Sequence, residues 1–187
     1  DGRGMPATIY RPSIVVGDSR TGETQKFDGP YFVMQWQPRR AVLPVVGDPA
    51  ASRVNVVPRD FVVDVVGHLS GLPSSVGRTY HVADPHPLTV DELINAMAAA
   101  THREVIKIPL TRKLAKASIR HVPGVYGLLR MPAEAVDYFA HPTHYLTDHL
   151  RADLAGSGIE APAFGSYVDR LAAFMRDHAE IGSAAMY

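Results

Sequence analysis

Apolar and polar residues follow two periods along this chain, and together these predict short strands interspersed with amphipathic helices. Compact apolar runs typical of strands lie at 8–10, 14–16, 41–46, 53–57, 79–83 and 105–108. Helical spacing or helix-start signals predict helices at 31–37, after Pro58, after Thr89, after Thr111, at 148–155 and at 167–178. The chain has no internal repeat, and its 187 residues are enough for one sizeable core, or for one domain with a small lobe.

The stretch from Thr8 to Gly17 is the most informative of these runs. Pro12 lacks the N–H that a central strand needs, so we expect the strand to be interrupted there. Such interruptions are common where a strand's carboxyl end opens onto a ligand, because the broken ladder frees neighbouring backbone groups. A buried strand followed by a tight loop would give the same residues, so both interpretations stay open.

Two helix starts carry recognisable signals. Thr89 followed by Glu92 predicts a capping box, and Pro58 fits the first turn of the preceding helix. Asp60 and Asp64 fall early on that helix, where the positive end of the dipole favours carboxylates. We therefore interpret these two residues as part of a helix start rather than as a pair of acid–base catalysts.

The amino-acid composition argues against several classes of function. The 187 residues are 46% hydrophobic, and 19 basic residues balance 19 acidic ones, so no net field draws the chain to nucleic acid. The chain has no cysteine, which excludes disulfides and thiolate chemistry and fits a cytoplasmic protein. No apolar run is long enough to predict a membrane span.

Histidines cluster late in the chain, at 141, 144 and 149. Metal ligands must converge on one point, but five residues along a helix separate two side chains by about 140°. Pro142 also interrupts any helix that would join the first two. We therefore expect no metal site here.

Four motifs occur in an order that resembles a known family. The motifs are Arg-Pro-Ser-Ile-Val-Val-Gly-Asp-Ser-Arg-Thr-Gly (11–22), Phe-Asp-Gly-Pro-Tyr-Phe (27–32), Val-Asn-Val-Val-Pro-Arg-Asp-Phe-Val-Val-Asp (54–64) and Pro-Leu-Thr-Val-Asp-Glu-Leu (87–93). With them, the chain from Gly4 to about His178 resembles the C-terminal half of the extended short-chain dehydrogenase/reductases, closest to the thioester reductase and fatty acyl-CoA reductase branch of male-sterility type.

Two motifs of that family are missing from the chain. No Gly-x-x-Gly-x-x-Gly occurs, although the family holds the cofactor's pyrophosphate on such a turn. No tyrosine precedes a lysine by four residues, although the family's proton donor does. Only Tyr126 with Arg130 comes near, and arginine is a poor substitute for lysine at such a site. The resemblance places both motifs before Asp1.

The resemblance also implies a set of site residues. The residues that would close the nicotinamide end of the cofactor site are Pro12, Ser13, Ile14 and Val15. The residues that would border the substrate are Gly17, Asp18, Ser19, Phe27, Tyr31 and Met34. Aromatic residues at helical spacing are more often core than ligand contacts, so core packing remains the alternative for the helix from Tyr31, and it is also open for Ile14 and Val15.

The fold class that the resemblance implies is α/β, a fragment of an extended Rossmann-type fold with its last parallel strands and a mainly helical substrate lobe. We expect residues 1–83 to belong to the sheet part and residues 84–187 to the lobe. The parent enzyme would transfer hydride from NADP or NAD to a small carbonyl compound or an acyl thioester. This chain alone would be inactive and would not retain the cofactor. Its protein partner would be an N-terminal half of the same protein or a second copy.

Two other interpretations stay open. The first is a sugar-nucleotide epimerase or dehydratase of the same superfamily, which the segment Phe27 to Phe32 disfavours. The second is a non-catalytic binding module that has kept a reductase-like lobe.

Overall fold

The fold is built around two successive strands, β1 at Ile9–Pro12 and β2 at Ile14–Val16. The computed structural model describes residues 6–34, 40–46, 48–110 and 144–182. Strand β1 pairs in parallel with β6 at Thr79–Val82, and β2 pairs in parallel with β5 at Val56–Pro58. The chain thus changes partner strand within one short stretch.

The interruption predicted in this stretch is present, but it lies at Ser13 rather than Pro12. Strand β1 continues through Pro12, which stands opposite Val82. The amide of Ser13 donates to the carbonyl of Val82 at 3.0 Å, and the amide of Ile14 donates to the carbonyl of Asn55 at 3.2 Å. The expectation that Pro12 frees the neighbouring amides is therefore wrong, because each of these two amides donates to a carbonyl, one on β6 and the other at Asn55, directly before β5.

The remaining strands form two further pairs. Strand β3 at Arg40–Val46 runs parallel to β8 at Glu104–Leu110 over their full length. Strand β4 at Arg53–Val54 pairs antiparallel with β7 at Leu88–Thr89. The single strand predicted for 53–57 is thus two strands, and Asn55 separates them.

Five α-helices lie within the described residues. They are α1 at Tyr31–Met34, α2 at Arg59–Ser70, α3 at Val90–Ala100, α4 at Asp148–Asp153 and α5 at Val168–Asp177. Short 3₁₀ turns occupy Pro73–Ser75 and Phe164–Ser166. No helix in the described ranges is both long and apolar enough to cross a bilayer.

The helix starts follow the sequence signals closely. The capping box is confirmed, since the Glu92 amide donates to Thr89 Oγ1 at 3.1 Å and the Thr89 amide donates to Glu92 Oε2 at 2.8 Å. Pro58 is the N-cap of α2, one position before the first turn. The predicted helix from Tyr31 is present as far as Met34, and its remainder lies outside the described residues, as does the predicted cap Thr111.

Two hydrophobic clusters hold the elements together, and β5 belongs to both. Val56 packs into the first cluster, with residues of α1, α3 and α5. Val57 packs into the second, with residues of α2, β6 and α4. Each cluster therefore contains residues from both sides of position 83. The division of the chain at that position stays a prediction.

Candidate functional site

The residues predicted to face the nicotinamide lie where the chain changes partner strand. Pro12 is exposed, and Val15 is 42% exposed although it is apolar. Ile14 is half-buried and packs against the first hydrophobic cluster. The hydroxyl of Ser13 is buried and has no hydrogen-bond partner among the described residues. This short segment therefore presents two exposed apolar side chains beside a buried polar atom that the chain does not satisfy.

Asn55 fixes the position of this junction, and sequence reasoning did not single it out. Its backbone carbonyl receives the Ile14 amide. Its side chain is 7% exposed, donates through Nδ2 to the carbonyl of Asp84 at 2.7 Å, and accepts the Asp84 amide on Oδ1 at 2.9 Å. The sequence signal that could have identified Asn55 is an amide side chain within an apolar run. Such a residue is expected to be buried, and a buried polar group needs hydrogen-bond partners.

The loop from Gly17 to Gly22 is closed by its own hydrogen bonds. Asp18 Oδ1 accepts the amides of Arg20 at 2.9 Å and Thr21 at 3.1 Å, and the Gly22 amide donates to the Asp18 carbonyl at 2.8 Å. Burial raises the pKa of Asp18, but these amides and the nearby guanidinium of Arg59 outweigh it, so the pKa is lowered from its ordinary value. The Asp18 carboxylate is therefore engaged in holding the loop.

The same loop is fastened to α2. Ser19 donates to the Asp60 carboxylate twice, through its amide at 2.8 Å and through its hydroxyl at 2.6 Å. The Arg20 guanidinium lies 3.8 Å from Asp60 and 3.7 Å from Asp64. Asp60 and Asp64 thus serve the helix start and the loop, which agrees with the interpretation made from the sequence.

Phe27, Tyr31 and Met34 are fully buried, each at 2% exposure or less. Tyr31 Oη accepts the Gly17 amide at 2.9 Å, and burial raises the pKa of this phenol to about 12. The ring of Phe27 contacts those of Tyr31 and Phe174. Core packing thus describes these three side chains, and their contact with substrate stays a prediction.

Gly17 lies where the strand, the loop and the buried aromatics meet. A Cβ atom there would lie 2.5 Å from the Gly22 carbonyl oxygen and 2.9 Å from Tyr31 Oη. Tyr31 bonds directly to Gly17, Phe27 packs on Tyr31, and Met34 belongs to the same hydrophobic cluster. The four residues predicted to face the cofactor lie just before Gly17 in the chain.

The late histidines do not gather into a metal centre within the described residues. No group of three His, Asp or Glu side chains in those ranges is placed to hold an ion. His144 is exposed in the segment before α4, and His149 is exposed on α4 itself. His141 lies outside the described residues.

Comparison with known proteins gives a consistent result. The model of a family described as male sterility protein, an NAD-binding family, matches residues 1–66. A linear gramicidin synthase of Brevibacillus parabrevis is 32% identical over 96 residues, which are 51% of this chain and 2% of that protein. Aldehyde reductase lnbA of Aspergillus flavus is 25% identical over 143 residues, which are 75% of this chain and 14% of that protein.

A solved structure extends the likeness to nearly the whole chain. The terminal R domain from the myxalamid PKS-NRPS biosynthetic pathway superposes with a TM-score of 0.74 at 26% identity. The match covers 95% of this chain and 46% of that one, so the chain spans about half the length of this relative. The parallel strand pairs and the helices packed on them are those of a Rossmann-like fold. The chain is therefore similar to terminal reductase domains over nearly its whole length and, over residues 1–66, to the NAD-binding family of the male sterility proteins.

Proposed function

We propose that this chain is the substrate-side portion of a reductase that transfers hydride from NADPH or NADH to a small carbonyl compound or an acyl thioester. The observation that carries this proposal is the likeness to the myxalamid R domain over 95% of the chain. The match to an aldehyde reductase over 75% of the chain supports the same reaction class.

The residues at the strand junction fit the nicotinamide end of a cofactor. Pro12 and Val15 are exposed, so they supply an apolar wall for a flat ring. The unpartnered Ser13 hydroxyl is a polar group that a carboxamide or a water would satisfy. Successive amides of a strand point in opposite directions, so the Val15 amide points away from β5. The bound cofactor supplies the hydride, and this segment orients the ring that carries it.

The loop after the junction has a positioning role in this proposal. The side chains of Asp18 and Ser19 are both hydrogen-bonded within the protein, Asp18 to the Arg20 amide and Ser19 to the Asp60 carboxylate. The loop would therefore present a fixed backbone to a substrate. A rigid wall of this kind helps to hold an acyl group in the orientation that hydride transfer needs. No residue of this chain is assigned as the proton donor of the reaction, because the sequence has no Tyr-x-x-x-Lys.

A sugar-nucleotide epimerase or dehydratase is the alternative within the superfamily. Fold alone does not separate these activities, because one fold supports many chemistries. The male sterility match over residues 1–66 and the aldehyde reductase relative favour the reductase. A non-catalytic module is the other alternative, and it would bind ligand without turnover.

The first test is an assay of the purified 187-residue chain with NADPH or NADH and an aldehyde or acyl thioester. We expect cofactor oxidation no faster than that of a Pro12→Gly variant, because the pyrophosphate turn and the Tyr-x-x-x-Lys pair are missing from the sequence. Oxidation well above that variant would contradict the proposed inactivity.

A second test applies to the protein encoded by the complete natural reading frame. Val15→Glu would place a carboxylate at the junction, and we expect it to raise the KM for the cofactor about tenfold or more, since the bound ring would bury that charge. Val63→Glu is the matched control, because Val63 is 62% exposed on α2 and away from the junction. Equal effects of the two variants would remove the junction from the cofactor site. Absence of a Gly-rich turn and Tyr-x-x-x-Lys in that reading frame would favour the non-catalytic module.

A further inference from the structure

A cavity of about 410 Å³ lies at the carboxyl end of β6, apart from the residues assigned to hydride transfer. Residues 83–86 form one wall, α4 and the loop after it form the other, and Phe61 of α2 contributes between them. None of the ten predicted site residues lines this space. Its volume falls within the range of small-molecule pockets, toward the lower end.

Hydrogen bonds fix the first wall. Asn55 binds the amide and the carbonyl of Asp84, at 2.9 Å and 2.7 Å. Asp84 Oδ1 then accepts the amide of His86 at 2.8 Å. The turn that contributes Asp84 to the lining of the cavity is therefore held by three hydrogen bonds.

A separate network fixes the second wall. Asp153, at the end of α4, accepts the hydroxyl of Tyr80 at 2.5 Å and a guanidinium nitrogen of Arg78 at 2.8 and 3.0 Å. Burial and the Asp153 carboxylate raise the pKa of Tyr80 to about 12, so this phenol keeps its proton across the physiological range. Helix α4 is thus anchored to β6, and the cavity between the two walls is preformed.

The lining combines an apolar floor with charges of both signs. Phe61, Leu150 and Leu154 are buried side chains of the floor. Arg151 and Glu160 also line the cavity, and neither makes an ion pair or side-chain hydrogen bond with any described residue. Two opposite charges that share a cavity without pairing leave room for a ligand that satisfies both.

We propose that this cavity binds a zwitterionic α-amino acid with an apolar side chain. The ligand's carboxylate pairs with Arg151, its ammonium pairs with Glu160 and Asp84, and its side chain packs on Phe61 and Leu150. A simple anion would meet two carboxylates and a simple cation would meet the guanidinium, so a zwitterion satisfies the lining best. This site goes beyond the proposed reductase function and does not depend on it.

The test is a binding titration of the chain with free L-leucine, followed by NMR of the residues that line the cavity. Leucinamide lacks the carboxylate, 4-methylpentanoate lacks the ammonium, and glycine lacks the side chain. We expect leucine to shift the resonances of Asp84, Arg151 and Glu160, and each incomplete probe to bind about tenfold more weakly or worse, since each loses one charged or apolar contact.

Charge variants assign the contacts. Arg151→Gln is expected to weaken the binding of leucine about tenfold. It should change the binding of leucinamide little, because leucinamide has no carboxylate that could pair with Arg151. Glu160→Gln is expected to weaken the binding of leucine and to change the binding of 4-methylpentanoate little, because 4-methylpentanoate has no ammonium group. Matched controls are Arg176→Gln on α5 and Glu180→Gln after it, since neither residue lines this cavity.

Three results would overturn the proposal. The first is equal binding of leucine and the probes that lack one charge, and the second is leucine binding that neither cavity variant changes. The third is no shift at the lining residues at any leucine concentration. All four substitutions are at exposed residues, and circular dichroism checks that each variant is folded. Absence of reductase activity would not affect any of these outcomes.

Discussion

At the scale of single residues, Gly22 shows how closely the loop after β2 packs on α5. Its φ of +79° lies in the left-handed region that glycine adopts without strain. A Cβ atom there would lie 2.2 Å from the carbonyl oxygen of Arg170. Both the backbone conformation and the space therefore require glycine at this position.

Gly22→Ala is expected to lower the free energy of unfolding by about 2 kcal/mol or more, because it adds a steric clash to the left-handed backbone cost of about 1 kcal/mol. Gly77→Ala is the matched control, since Gly77 has a φ of +80° and a Cβ there would meet no atom within 4 Å. Urea denaturation measures both. Equal losses would mean that the loop moves away from α5 at little cost.

Asp153 anchors α4, which forms one wall of the cavity, and its hydrogen bonds depend on its ionisation. Hydrogen bonding from Tyr80 lowers its pKa below the ordinary value of 3.8, burial opposes that effect, and the Arg78 guanidinium lowers the pKa further. Because the pKa is depressed in the folded state, the carboxylate stabilises the fold above pH 3.8, and this contribution is lost as the pH falls through the folded pKa.

Asp153→Asn is expected to lower the unfolding free energy near neutral pH by about 2 kcal/mol, the cost of a charge-assisted hydrogen bond. The loss should shrink as the pH falls below 3.8, where the parent loses the same contribution. Denaturant titrations from neutral to acidic pH measure this. Asp177→Asn is the control, since Asp177 is 65% exposed and pairs only with Arg176 among the described residues. A loss that does not vary with pH would contradict the argument.

At the scale of elements, Asn55 joins strands that the sequence pattern treats separately. It follows β4, receives the Ile14 amide beside the junction, and holds the turn after β6. The segment 12–15, which is predicted to face the cofactor, and the cavity therefore share one support. Its loss would affect both places.

Asn55→Asp keeps the shape but replaces the Nδ2 donor with an oxygen that faces the Asp84 carbonyl. We expect a loss of about 1–3 kcal/mol, since a buried acceptor is left without its donor. Hydrogen exchange of the Ile14 and Asp84 amides should quicken more than that of Ile9, whose amide bonds to Arg78. Asn95→Asp, at an exposed position of α3, is the control. Uniform quickening across all three amides would indicate global destabilisation instead.

Sequence patterns predicted most elements but not how they pair. The capping box of Thr89 and Glu92 is local, so four residues suffice to predict it. The division of residues 53–57 into two strands depends on partners more than thirty residues away, β7 for the first and β2 for the second. A local pattern carries no information on such pairing.

At the scale of the whole molecule, the two hydrophobic clusters are coupled through β5. Val56 and Val57 are consecutive residues that point into different clusters, and both are buried. If the packing on one face of β5 is lost, the packing on its other face is disturbed as well. The clusters are therefore expected to unfold together.

We expect a single cooperative unfolding transition, with the amides of Val65 in α2 and Leu93 in α3 exchanging at similar free energies. These two residues represent the second and the first cluster. Denaturant-dependent hydrogen exchange measures both in one experiment. Two well-separated transitions would instead mean that the two clusters unfold independently, which would contradict the coupling through β5.

The sequence by itself determined the resemblance to reductases, most of the strands and helices, and the segment that ends in Gly17, because these depend on motifs and local periodicity. Only the tertiary structure decided how the predicted site residues pack and which hydrogen bonds they make. The hydrophobic core contains Phe27, Tyr31 and Met34. Hydrogen bonds of Asp18 and Ser19 hold the loop in place, and those of Asn55 support the junction. The physical reason is that burial and hydrogen-bond partners are long-range properties, set by elements that meet only when the chain has folded.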